Sequence, residues 1–66
     1  MEMFRQRLRE ERKKAGYTQE EMGQLLNITQ SAYALYETGK TQPSLETATK
    51  IADILKISLD YLVGRY

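Results

Sequence analysis

The chain has 66 residues, a formal net charge of +1, and neither cysteine nor histidine. That length allows one domain around one core, and the missing thiols and imidazoles exclude disulfides, thiolate or imidazole catalysis and the usual zinc sites. No apolar run approaches the roughly 20 residues that span a bilayer, and the opening MEMFRQRLREERKK has no signal-like apolar core, so a cytoplasmic domain with no membrane, metal or cofactor partner is expected.

The first expected element is a helix over 2–15, with Phe4, Leu8 and Ala15 inward and Gly16 as its left-handed stop. This segment is basic. Up to Gly16 six Lys and Arg face three Glu, whereas the remainder has four basic and six acidic residues. Arg7, Arg9, Lys13 and Lys14 read as a solvated charged face. A second helix over 18–26 opens at Thr18, and Glu21 three residues on completes a T-x-x-E capping box. Met22, Leu25 and Leu26 are its apolar positions. Gly23 costs helix propensity, which close approach by the next helix would explain. Asn27 is the expected left-handed turn residue. Ile28 plugs the turn, and Thr29 caps a third helix over 29–38 that Gly39 ends.

KTQP, residues 40–43, follows as an exposed loop. Ser44 caps a fourth helix over 44–55, whose Leu45, Ala48, Ile51, Ala52 and Leu55 share one face at helical spacing. Ser58 caps a last helix over 58–63 that buries Leu59 and Leu62 and ends at Gly64. No stretch alternates as a strand does. The expected fold class is therefore all-α: one five-helix domain over 1–66 with a central helix-turn-helix.

Residues 18–39, TQEEMGQLLNITQSAYALYETG, carry the functional signal. At about 100° per residue, Tyr33, Tyr36 and Glu37 share one arc of the third helix, and Gln30, Ser31, Ala34, Leu35 and Thr38 the other. The first arc must face the body, because Met22, Leu26 and Ile28 need a partner. Glu37 on that arc needs a cation. The second arc faces out, with hydrogen-bonding Gln30 and Ser31, and Ala34 and Leu35 able to touch a thymine methyl. Small, neutral side chains let such a helix sit deep in a major groove, so double-stranded DNA is the expected partner.

Three stretches in order, RLREERKKAGYTQEE, ITQSAYALYETGKTQPSLET and KIADILKISLDYLVGR, resemble the XRE family of phage-repressor and Cro-like helix-turn-helix regulators. The resemblance covers about Arg7 to Arg65. It implies a lambda-repressor-like DNA-binding fold acting as a transcriptional repressor, usually as a homodimer on a pseudo-palindromic operator. Carried over by position, it implies that Gln19 anchors a phosphate at a helix N-terminus, where anions are favoured. Thr29, Gln30, Ser31 and Leu35 match positions that touch bases or adjacent backbone. Thr38, Lys40, Thr41 and Gln42 match a loop that tracks the phosphates, with Lys40 supplying counterion release. Arg12 and Glu37 match an internal salt bridge. Ser58, Tyr61, Leu62 and Tyr66 are the expected dimer contact, since the segment from Leu62 to Tyr66 offers apolar surface beyond the needs of the core.

The chain departs from the family pattern at several positions. Gln30 and Leu35 stand where many relatives carry Lys or Arg, so the third helix has no arginine–guanine fork. Leu25 replaces a usual polar residue, and Lys56 stands where Gly or Asn usually ends the fourth helix. Leu25, Leu35 and the near-neutral charge also fit a second class, a protein-interaction module such as an antitoxin on the same fold. An enzyme is not expected, because no acid–base or nucleophile constellation exists.

Overall fold

Every helix but the first begins where a hydroxyl side chain takes up a backbone amide of the first turn. The computed structural model describes residues 2–64. Among them lie α1 (Glu2–Ala15), α2 (Gln19–Leu26), α3 (Gln30–Thr38), α4 (Leu45–Leu55) and α5 (Leu59–Val63). Thr18, Thr29, Ser44 and Ser58 sit just outside the last four as N-caps with extended backbone, each accepting from the amide three residues on. At Thr18 the box is complete, with Glu21 Oε1 accepting from the Thr18 amide at 2.8 Å. A cap of this kind is worth about 1 kcal/mol.

Left-handed residues end the helices: Gly16, Asn27, Gly39, Lys56 and Gly64 all have φ between 59° and 84°. Asn27 and Lys56 are the two without glycine's freedom. Gly23 makes the α2–α3 turn possible. A Cβ there would lie 2.9 Å from the Ile28 carbonyl oxygen and 3.2 Å from Thr29, so the close approach is to the turn rather than to the next helix itself.

The core gathers one stripe from each helix: Phe4 and Leu8, Met22 and Leu26, Tyr33, then Ile51, Ala52 and Leu55, and Leu62. Tyr17, Ile28, Tyr36, Ile54, Ile57, Leu59 and Val63 close its rim. Tyr33 and Tyr36 meet edge to face, with centroids 6.2 Å apart. Among the described residues, α1 packs on α3, α4 and α5, while α3 packs on α1 and α2 alone. No other described helix covers the remaining side of α3.

Four sequence expectations need correction. Ala15 is exposed, because the last turn of α1 runs past the core. Leu45 is 74% exposed, since α4 comes down onto the core only from Ala48 onward. Arg7 is buried rather than solvated: its guanidinium lies 4.3 Å from the Tyr61 ring centroid and Nη1 donates to the Tyr61 carbonyl oxygen. Leu62 is fully buried, so it belongs to the core and is removed from the dimer contact. Tyr66, also expected there, lies outside the described residues.

Candidate nucleic-acid interface

The site is built around a carboxylate turned inward. Glu37, 3% exposed, lies one turn after Tyr33 on the buried arc of α3. Arg12 Nε donates to Glu37 Oε2 at 2.6 Å and Nη2 to Oε1 at 3.3 Å, a forked pair. The Tyr33 hydroxyl donates to Oε2 at 2.7 Å and Gln19 Nε2 to Oε1 at 3.1 Å. Arg12 Nη1 continues to the Tyr17 carbonyl oxygen at 2.8 Å. One carboxylate thus ties together α1, the start of α2 and α3.

Burial pushes the Glu37 carboxyl up, but the bonds from Arg12, Tyr33 and Gln19 outweigh it and hold Glu37 below the usual carboxylate range. The hydrogen bond to Glu37 raises Arg12 further. Burial, together with its donation to Glu37, pushes the Tyr33 hydroxyl far up. The network is therefore a fixed ion pair at neutral pH, and no member is poised to exchange a proton. Its physical product is the orientation of α3.

Held in that orientation, α3 turns Gln30, Ser31, Leu35 and Thr38 to solvent, with Ala34 half-buried among them. Helix α3 carries no acidic residue in its first turn and no basic residue in its last. Leu35 is 38% exposed. Two hydroxyls of the expected contact set already serve the helix: Thr29 Oγ1 accepts from the Ala32 amide, and Thr38 Oγ1 donates to the Leu35 carbonyl oxygen. Lys40, Thr41 and Gln42 follow directly as an exposed loop. The structure thus brings Gln30, Ser31, Ala34, Leu35, Thr38 and the 40–42 loop onto one continuous surface.

Gln19 joins this surface from α2, but its amide nitrogen is engaged by Glu37. The capping box takes up the Thr18 and Glu21 amides, which leaves those of Gln19 and Glu20 for an outside acceptor. Ser58, the N-cap of α5, and Tyr61 within it lie elsewhere: among the described residues α5 packs against α1 and α4 and not against α3. The Ser58 hydroxyl caps α5, and Tyr61 is half-buried beneath Arg7, with its own hydroxyl 3.4 Å from Glu11.

Two residues of this region are given no part in it by the sequence: Arg5 is assigned no role, and Arg9 reads only as solvated. Arg5 crosses the bare Cα of Gly39, where a Cβ would lie 3.0 Å from its Cδ, and Nη1 donates to the Thr38 carbonyl oxygen at 3.0 Å. A cation there satisfies an end-of-helix carbonyl and complements the α3 dipole. Arg9 stands beside the same network, its Nε 3.9 Å from Glu37 Oε1 and its side chain 55% exposed. The signal was present: Arg5, Arg9 and Arg12 recur at helical spacing and line one face of α1.

Among known proteins, a family profile described as helix-turn-helix matches residues 8–62. The chain is 44% identical over 61 residues to the SPbeta prophage-derived uncharacterized HTH-type transcriptional regulator YonR of Bacillus subtilis, covering 92% of this chain and 56% of that protein. It is 40% identical over 63 residues to the cryptic phage CTXphi transcriptional repressor RstR of Vibrio cholerae, covering 96% of this chain and 56% of that one. The chain therefore spans little more than half the length of these relatives. Among solved structures it superposes on the P22 c2 repressor, crystallised in complex with a synthetic operator, with a TM-score of 0.84, 27% identity and 94% coverage of both chains. By the extent of the profile match and the level of these identities, the chain belongs to the XRE-type helix-turn-helix family.

Proposed function

We propose that this chain is a sequence-specific double-stranded DNA-binding unit of a transcriptional repressor, with α3 lying in the major groove of an operator. The observation that carries the reading is the division of α3. Its charged residue, Glu37, is locked inward, and its outward face is small, uncharged and able to hydrogen-bond. Gln30 and Ser31 read base edges, Ala34 and Leu35 contact apolar groups of the groove, and Thr29, Thr38, Lys40, Thr41, Gln42 and Gln19 contact the backbone. The P22 c2 repressor, bound to its operator on the same fold, supports this use of the fold.

The outward face of α3 has no cation and the whole chain carries only +1. One monomer therefore gains little from counterion release, and two copies acting on a pseudo-palindromic site in the cytoplasm complete the proposal. Among the described residues expected at the pairing surface, Ser58 and Tyr61 remain. Sedimentation of the chain with a two-half-site duplex is expected to show two copies per duplex; a single copy at saturation would remove the dimer from the account.

A titration of duplex DNA against salt tests the binding reading. Affinity is expected to fall as salt rises, with a log–log slope of about 0.9 for each phosphate neutralised by the two copies together. Leu25 at 52% exposure and Leu35 favour the second reading, a protein-interaction module. Absence of binding to any duplex at low salt would select it.

A further inference from the structure

We infer that Arg9, with Arg5 beside it, forms an additional phosphate-binding shelf that extends the DNA contact from α3 onto the face of α1. The inference rests on the DNA-binding reading above and adds a contact that reading does not contain. A groove of about 470 Å³ runs between α1 and the end of α3, lined by Arg5, Gln6, Arg9, Glu10, Glu37 and Thr38. At about 100° per residue, Glu37 falls about 60° around α3 from Ala34, so the groove opens along the edge of the readout face.

The charges in this groove divide by function. Glu37 is neutralised by Arg12 at 2.6 Å and buried. Arg5 is fixed by the Thr38 carbonyl oxygen across Gly39, which sets its guanidinium at the α3 terminus immediately before Lys40. Arg9 is 3.9 Å from Glu37, a distance at which it is steered but not consumed, and more than half of its side chain remains in solvent. Gln6 adds an amide donor. Glu10 is the one lining carboxylate not committed to Arg12, and it opposes an anion.

This combination fits the two non-bridging oxygens of a singly charged backbone phosphodiester. Guanidinium groups match phosphate oxygens through two parallel N–H bonds. The shelf continues the line of backbone contacts from Lys40 back across Arg5 to Arg9, and reaches Gln19 through the shared Glu37 Oε1. A duplex seated on α3 would present its next backbone phosphate there. The contact carries no base information, so it raises affinity without changing sequence preference.

The experiment measures duplex affinity against salt for the wild-type chain, Arg9→Gln, Arg9→Lys and Glu10→Gln. For each bound copy, Arg9→Gln is expected to lose about five- to ten-fold in affinity at about 0.1 M salt and to lower the log–log slope by about 0.9, the value of one phosphate contact, so that the two-copy complex loses about 1.8. Arg9→Lys retains most of both, and Glu10→Gln binds more tightly. Site preference and melting temperature stay as in wild type for all three, because Arg9 is exposed and Glu37 keeps Arg12, Tyr33 and Gln19. A wild type that binds with an Arg9→Gln slope and affinity unchanged overturns the shelf alone. A wild type that binds no duplex overturns the DNA-binding reading with it. A melting temperature lowered in Arg9→Gln with the slope unchanged makes Arg9 structural and also overturns the shelf.

Discussion

Replacing Glu37 by alanine removes the acceptor on which α1, α2 and α3 converge. Arg12 loses bonds of 2.6 Å and 3.3 Å, Tyr33 one of 2.7 Å and Gln19 one of 3.1 Å. Breaking a buried charge pair from one side costs about 3–5 kcal/mol, because the other charge is left without its partner. The orphaned Tyr33 hydroxyl, on a fully buried side chain, adds about 1–3 kcal/mol where no water reaches it. Relaxation works against the sum. Arg12 keeps the Tyr17 carbonyl and its side chain is 11% exposed, so the lower end, about 3 kcal/mol, is the expected loss. A chain of this size has about 3–5 kcal/mol in total, so Glu37→Ala should keep at most about 2 kcal/mol and be only marginally folded near room temperature. Urea unfolding followed by far-UV circular dichroism measures this. With a slope of about 1 kcal/mol per molar, the midpoint should fall by about 3 M. A fall of less than about 0.5 M, under the same slope, would refute the idea that the network fastens α3.

Other consequences can be checked with the same assay. The Glu37 carboxyl is held below its unfolded value, so its stabilisation is complete above about pH 4.3 and is lost as the pH falls through the folded value. Glu37→Gln should therefore lack the stability decrease that the wild type shows as the pH falls below about 4.3, and parallel profiles would contradict this. Gly23→Ala gains helix propensity of about 1 kcal/mol, but its Cβ would sit 2.9 Å from the Ile28 carbonyl oxygen. A net loss of about 1–2 kcal/mol is expected, and a rise in midpoint would show that the turn can yield. Lys56→Gly relieves a left-handed lysine at φ 59°, worth about 1 kcal/mol, less the entropy that glycine adds to the unfolded chain. A gain of about 0.5 kcal/mol, read as a rise of a few degrees in Tm, is expected. A lower Tm would contradict it.

The parts of this fold legible in the sequence are those set by short-range chemistry. Hydroxyl caps at Thr18, Thr29, Ser44 and Ser58 and stops at Gly16, Gly39 and Gly64 are one-residue signals that the backbone obeys. The split of α3 into an inward arc with Tyr33 and Glu37 and an outward arc with Gln30 and Ser31 follows from periodicity alone. What periodicity does not give is where a helix meets the core along its length. Leu45 and Ala15 have the right spacing but lie beyond the contact, and both are exposed. Arg7 is the opposite case. It shares the face of Phe4 and Leu8, yet its charge suggested solvent. Its aliphatic stem packs inward, and the guanidinium finds the Tyr61 ring and carbonyl, groups 54 residues away that no local pattern announces. The roles of Arg5 and Arg9 were hidden for the same reason: their spacing is visible, but the α3 terminus they meet is not.

Base reading by α3 is tested by selecting bound sites from a random duplex pool, in parallel for wild type and Gln30→Ala. The wild type is expected to select a pseudo-palindromic site. Gln30→Ala is expected to lose about 1–3 kcal/mol of discrimination at one base pair in each half-site with stability unchanged. Identical base preferences for the two chains, or no enriched site for the wild type, would contradict base reading by α3.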